Sequence, residues 1–340
     1  MKQITVISFS GGNMISMEDV AVKAKVSKAT VSRVLNGKLI VSPKAREKVM
    51  SACKDLDYKL NFNIQDLVLK SRTGSTRNIA FVMAGKEFAD PAYAHLIDGI
   101  SSAINKYHYH LMLVKISGEE TSIYDLPPIL RDERVDGILL TGNLQTNTTE
   151  LMEKLGPKCV VIGNYSERIL RSLGSVQTKI EAKIFDLMER LVKLGKKRIA
   201  FAEECPGNYV AVKTINVYKQ ALKEFGLEFD EKICYFGHGP FSGLFDVMKP
   251  VFGNKTLPFD SVLCPDMRIA REISHLLFGH FGLNKAIGVT LATVRQFDYF
   301  KLPVPTIYFD NNVEAVVEAG LQLLIDQIEG KELSKTVFVN

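Results

Sequence analysis

The sequence predicts a small all-α helix-turn-helix headpiece followed by a two-lobed α/β core built on doubly wound parallel sheets. Three observations carry this expectation. Between Ser16 and Tyr58, three short runs place apolar residues at helical spacing, two of them behind a capping serine. From Asn78 onward, apolar strand-like runs alternate with amphipathic helical runs, the pattern of parallel sheets covered on both faces. The charge is also unevenly placed: residues 14–72 carry twelve Lys and Arg against six Asp and Glu, whereas the chain from Thr73 onward sums to −2. The basic surplus lies on the small N-terminal unit, where a polyanion would be met. At 340 residues the chain has room for two or three domains with sizeable cores.

In the first helix of the headpiece, Met17, Val20, Ala21 and Ala24 form one apolar stripe. Lys25-Val26 makes a tight turn, and Ser27 is placed to cap a second helix that starts at Lys28. That helix buries Val31, Val34 and Leu35 and turns Lys28, Ala29, Ser32 and Arg33 outward, and Asn36-Gly37 ends it. Ser42-Pro43 opens a third helix whose Ala45, Val49, Ala52 and Leu56 complete a small core. Two helices joined by a tight turn, the second presenting small polar and basic residues, form a helix-turn-helix.

The pattern VAxxAxVSxxTVSRVLN, followed by VSxxxREKV and LxYxxN, resembles the headpiece of the lactose/galactose-repressor family of bacterial transcription regulators. The resemblance implies base contacts from Lys28, Ala29 and Arg33, and DNA backbone contacts from Ser27, Thr30, Ser32 and Asn36. It places the headpiece at residues 14–60 and a hinge helix and linker at 61–76. Asn61 would open the hinge helix, and Leu67 would wedge into the minor groove. Leu60 and Ile64 depart from the family's usual Pro and Ala there. Residues 1–13 stand outside the pattern and read as a disordered tail, or lie upstream of the true start. The alternative is an extra strand carried by Ile4, Val6, Ile7 and Phe9.

In the core, residues 79–84, 111–116, 135–142 and 158–164 read as strands, with helices at 91–109 and near 124–131. A second lobe opens near 173–176 with a helix at 180–194. It continues through a strand at 197–203, a helix at 214–226, a strand within 258–266, a helix at 268–282 and a strand at 285–292. The chain crosses back near 290–312, and a last helix at 311–330 precedes a short terminal strand. DPAY (90–93), VDGILL, LxxLGKKRIAF (191–201), PFDSVLCPD and LLIDQIEG occur in an order similar to the family's periplasmic-binding-protein-like effector and dimerisation core at 77–340.

By that resemblance the inter-lobe cleft is the effector site, with Asp90, Tyr93, Asn164, Lys213 and Asp266 in its lining. Two family anchors are missing: Thr214 stands where an effector-binding Arg is expected, and LATV (291–294) replaces a Gly-Phe-Asp loop. The cleft is then either tuned to an unusual ligand or vestigial. Lys213 or Arg168 would meet a phosphate or carboxylate there.

Enzyme chemistry is not expected. His108 and His110 sit at a helix end, His275 and His280 do not share a helix face, and GHGPFSG (237–243) lacks the spacing of a phosphate-binding loop. Five cysteines without metal-ligand spacing read as reduced thiols, so no catalytic residue, metal or cofactor is implied. No apolar run reaches membrane-span length, and the opening residues do not form a secretory signal, so a cytoplasmic protein is expected. The resulting expectation is a homodimeric repressor that binds a palindromic DNA operator under control of a small-molecule effector, a sugar, phosphosugar or related metabolite. The alternatives are a regulator whose ligand promotes DNA binding and, from another class, a solute-binding α/β protein.

Overall fold

The computed structural model describes residues 15–35, 41–56, 58, 74–88, 90–203, 207, 209–237, 243–252, 256–286, 288–295, 302–331 and 336–339. It divides into two compact units, Met1–Gly74 and Ser75–Asn340.

The first unit packs α1 (Met17–Ala24), α2 (Lys28–Leu35) and α3 (Pro43–Asp55) around one core. Each helix starts where a serine satisfies an orphan N–H. Ser16 and Asp19 cap α1 reciprocally, with the Ser16 N–H donating to Asp19 Oδ2 at 2.8 Å. Ser27 Oγ accepts from Thr30 N at 3.1 Å, and Ser42 Oγ accepts from Ala45 N at 3.3 Å ahead of Pro43. Lys25, in the left-handed region at φ 50°, terminates α1 and turns the chain into α2. Val20, Ala21, Ala24, Val31, Val34, Val49 and Ala52 are buried, with Met17, Leu35 and Leu56 packed at the margin. Full burial of an aliphatic side chain stabilises by roughly 1.5–3 kcal/mol, which makes the three valines with no exposed surface the main contributors to this small core.

The second unit holds two parallel sheets. In chain order lobe one contributes β1 (Asn78–Ala84), α4 (Pro91–Ala103), β2 (His110–Ile116), α5 (Pro128–Arg131), β3 (Gly137–Gly142), α6 (Thr146–Lys154), β4 (Lys158–Ile162), α7 (Glu167–Leu170) and β5 (Gly174–Thr178). Lobe two follows with α8 (Ile180–Lys193), β6 (Ile199–Glu203), α9 (Tyr209–Glu224), β7 (Cys234–Phe236), α10 (Leu244–Phe252), β8 (Ser261–Cys264), α11 (Met267–Ala286), β9 (Thr290–Arg295) and β10 (Thr306–Asp310). The chain then returns through α12 (Val313–Ile328) and β11 (Thr336–Val339) to lobe one.

Among the described residues the first sheet runs β11-β5-β4-β3-β1-β2 and the second β10-β9-β8-β6-β7, every pairing parallel. Helices cover both faces of each sheet. In lobe one, Phe81, Leu139 and Val160 face Val317, Leu321 and Leu324 of α12, while Val82, Leu140 and Val161 face the α5–α7 side. In lobe two, Phe201 and Leu263 pack toward α8 and α9, and Val262 and Leu291 toward α11.

Several boundaries differ from the sequence expectation. The lobe change falls after Thr178 rather than at 173–176, because residues 174–178 pair with β4 and β11 of the first sheet. The strand expected at 285–292 begins at Thr290, since α11 continues to Ala286, and it extends to Arg295. Strands β5, β7 and β10 and helices α6, α7 and α10 were not foreseen. β7 is only three residues long, and β10 lies at a sheet edge with a half-buried pattern that alternation does not reveal. No helix among the described residues is long and apolar enough to cross a membrane.

Candidate functional site

In the headpiece, the face of α2 opposite Val31 and Val34 is available to a partner. Lys28, Ala29 and Arg33 are exposed there, Ser27 is exposed at the helix start, and Thr30 and Ser32 are partly buried. Lys28 Nζ is hydrogen-bonded to the Glu18 carboxylate of α1, both side chains 59% exposed. That bond from Lys28 holds the Glu18 carboxyl below the usual carboxylate range. Asn36, Asn61 and Leu67, together with residues 1–13, lie outside the described residues.

In the core, the sheet orders locate the cleft. Strand order reverses between β1 and β3 in lobe one and between β6 and β8 in lobe two, and ligands of open α/β sheets bind outside the carboxyl ends at such points. The loop after β1 delivers Asp90 and Tyr93 at the start of α4, and the turn after β8 delivers Asp266 ahead of α11. Asp90 is 8% exposed, and its carbonyl accepts from the N–H groups of Tyr93 and Ala94 at 3.0 Å. Burial raises the Tyr93 phenol well above its usual pKa, with Tyr165, Asp90 and Asp266 adding to the rise and Arg268 opposing it. These shared fields gather Asp90, Tyr93, Asp266, Arg268 and Tyr165 at one site.

Arg268 was not foreseen. Its guanidinium binds Asp266 through Nε at 3.1 Å and Nη2 at 2.8 Å, and its Nη1 lies 3.6 Å from Asp90 Oδ2 of the other lobe. The sequence signal was a basic residue on the first turn of a helix, where a cation is disfavoured by the helix dipole unless carboxylates hold it. Tyr165 was also missed. Its hydroxyl donates to Gly142 O at 2.7 Å and accepts from Gly142 N at 3.0 Å, which fixes the end of β3. Gly142 must be glycine: φ is 114°, and a Cβ would sit 2.2 Å from Ala84 O.

The remaining expected lining residues make structural ties. Asn164 Nδ2 donates to Thr178 Oγ1 at 2.8 Å, and its Oδ1 accepts from Thr178 N at 3.1 Å, joining β4 to the crossover. Lys213 is ion-paired with Glu181 and lies 5.1 Å from the Tyr209 ring centroid. Burial is the largest single influence and opposes its charge, but the hydrogen bonds and charges of Glu181 and Tyr209 together outweigh it, and its pKa is raised. The two positions expected to have lost anchors are not surface positions at all. Thr214 is 1% exposed with its hydroxyl donating to Val210 O inside α9, and Ala292 is fully buried in β9. Among the described residues no group of His, Cys, Asp or Glu gathers as a metal site.

A helix-turn-helix unit followed by a two-lobed parallel α/β core, with a charged cleft at the switch points, defines the class: a recognition module joined to a binding-protein-like core. Residues 16–61 match the family described as bacterial regulatory proteins, lacI family. Residues 76–311 match the periplasmic binding proteins and sugar binding domain of the LacI family. The chain belongs to the lacI family of bacterial regulatory proteins, which are transcription regulators and not enzymes.

Among curated relatives, catabolite control protein A of Priestia megaterium is 31% identical over 217 residues, covering 63% of this chain and 62% of that protein. The transcriptional regulator MalR of Streptococcus pneumoniae is 26% identical over 226 residues, 65% of this chain and 67% of that protein. The matched stretch thus spans slightly less than two thirds of the length of catabolite control protein A. Among solved structures, the Lac repressor dimer bound to operator and the anti-inducer ONPF superposes with a TM-score of 0.74 at 17% identity, covering 96% of each chain. The regulator CelR in complex with cellobiose gives 0.61 at 23% identity over the same shares. At these identities the structures establish the fold.

Proposed function

We propose that the protein is a transcriptional repressor that binds a palindromic operator as a homodimer, under the control of a small molecule in the inter-lobe cleft. The observation that carries this reading is the outward face of α2, where Lys28, Ala29 and Arg33 are exposed beside a packed core. A helix presenting Lys28 and Ala29 at its start and Arg33 in its last turn fits the major groove, where Arg pairs bidentately with guanine. Thr30, Ser32 and Ser27 are placed to meet phosphates, which position the helix without reading sequence. Asn36 would join them, and a hinge from Asn61 carrying the Leu67 wedge would read the operator centre. One headpiece offers few base contacts, so a two-fold dimer reading two half-sites fits the need for specificity. The operator-bound dimer of the Lac repressor and the cellobiose complex of CelR support dimeric DNA binding and a polyhydroxylated ligand here.

The test is Arg33→Ala in full-length protein, assayed by gel shift on the preferred operator and on random DNA. We expect a loss of about 1–3 kcal/mol on the operator with little change on random sequence. Equal losses on both would reduce Arg33 to a phosphate contact and remove the basis for base reading by α2.

A further inference from the structure

Arg268 sits between two lobes that are separate in sequence and in sheet. On its own lobe, Nε and Nη2 engage Asp266, and on the other lobe Nη1 faces Asp90 at 3.6 Å. The Arg268 and Asp90 side chains are 17% and 7% exposed, so the pair is shielded from bulk water and weakly screened. A third carboxylate, Glu203 at the carboxyl end of β6, is 7% exposed. Its field reaches this end of the sheet: the buried Cys264 thiol is raised first by burial and then by Glu203 and Asp266.

We propose that the cleft is a cation clamp occupied by the chain's own Arg268, which draws the lobes together without an added ligand. Its external ligands are then polyhydroxylated compounds that also bear an ammonium or guanidinium, and not phosphates or carboxylates. This deepens the reading of the cleft as an effector site and rests on it. With the guanidinium in place, Asp90 of one lobe and Asp266 of the other both gain by approaching it. With the cation removed, the same carboxylates repel each other across the cleft. An entering anion must detach Arg268 from Asp266, to which two of its nitrogens are bound, and must do so beside Asp90. An entering cation competes instead for the longer Nη1 contact to Asp90. The expectation that Lys213 greets an anion gives way on the same ground, since Glu181 already neutralises that lysine.

The experiment uses full-length protein without DNA or sugar. Spin labels on non-canonical residues replacing the exposed Lys158 of lobe one and Glu228 of lobe two read the inter-lobe distance. Arg268→Ala should lengthen and broaden that distance. Millimolar guanidinium chloride, far below its denaturing range, should recover at least half of the change, and sodium chloride or sodium phosphate at equal ionic strength should not. Adding Asp90→Asn to Arg268→Ala should abolish the guanidinium response. Arg268→Met, which keeps the apolar stem, serves in place of the alanine variant if circular dichroism shows that variant to be unfolded. An unchanged distance in the Arg268 variants, or equal recovery with sodium chloride, overturns the clamp. The effector reading itself fails separately, when no small molecule alters operator affinity.

Discussion

Tyr165→Phe isolates one hydroxyl at the floor of the cleft. In the native protein that hydroxyl answers both backbone polar groups of Gly142, a residue buried at the end of β3. The substitution does not orphan them equally. Gly142 O keeps a second donor, Leu144 N at 3.1 Å, whereas the Gly142 N–H has no other described partner. An unsatisfied buried N–H costs about 1–3 kcal/mol, and the partly served carbonyl adds little. Removal of the phenol's own desolvation works in the opposite direction, which favours a net loss near the middle of that range, about 2 kcal/mol. For a unit of this size each kcal/mol lowers Tm by about 2–4 °C, so a drop of about 4–8 °C is expected in calorimetry, confirmed by urea unfolding at constant m. Tyr124→Phe, at a side chain 76% exposed, provides the control and should leave Tm unchanged. A Tyr165→Phe drop no larger than that of the control would show that the Gly142 turn relaxes or takes up water, and that Tyr165 does not hold it.

Glu18→Gln frees Lys28 from its ion pair and removes a negative charge close to where phosphates would lie. Gel shifts should therefore show affinity for operator and random DNA rising together by several-fold, with a steeper salt dependence, and unchanged affinity would place Lys28 away from DNA. The same pair gives a pH signature. Because the Glu18 carboxyl is lowered in the folded state, its contribution is present above the ordinary carboxylate pKa of 4.5 and is lost as pH falls through the lowered value. Lys183 gives a slope of the same sign in the alkaline range, here because its charge is disfavoured in the fold. Burial lowers its pKa from 10.5, with Asp310 opposing, so the unfolded chain binds more protons over the window below 10.5 and wild-type stability should rise there. The stability gap between wild type and Lys183→Met, measured by urea unfolding, should shift in favour of wild type as pH climbs toward 10.5. A gap that does not vary with pH would remove the buried charge from the account.

The headpiece was legible because its determinants are local. Ser16, Ser27 and Ser42 cap helices within three residues of themselves, and the stripes at 17–24 and 28–35 repeat at helical spacing, so each decision was settled inside a short window. The lobes were legible through strand and helix alternation, but their boundary was not. Residues 174–178 are short and flanked by turns, and only pairing with β4 and β11 assigns them to the first sheet. The cleft was least legible. Asp90 and Asp266 were named from their positions in a family pattern, while the guanidinium that joins them belongs to Arg268 and meets Asp90 only in three dimensions. Thr214 and Ala292 looked like missing anchors because position along the chain was taken for position in the pocket. In the fold both are packed interior residues.

The crossovers show how such a cleft can be coupled to a DNA-binding unit without large energies. At the outgoing strand Asn164 holds Thr178, and just beyond it Glu181 at the start of α8 pairs with Lys213. At the returning strand, Lys183 of the same helix donates to Asn311 at 3.0 Å and lies 5.0 Å from the Phe309 ring centroid. The outgoing crossing is therefore held by the two Asn164–Thr178 hydrogen bonds and the returning one by the Lys183–Asn311 bond, each contributing about 0.5–1.5 kcal/mol. A few such contacts, remade at a different lobe angle, amount to the 1–3 kcal/mol typical of an allosteric coupling. A stiffer hinge with a wholly apolar tie would leave any ligand too little differential affinity to move the lobes. Lys183→Met should thus do more than alter the pH dependence. By freeing Asn311 at the return crossing it should change how far a cleft ligand shifts operator affinity while leaving ligand-free operator binding intact. Gel shifts with and without the ligand that give the same ratio in both proteins would separate the lysine from the coupling.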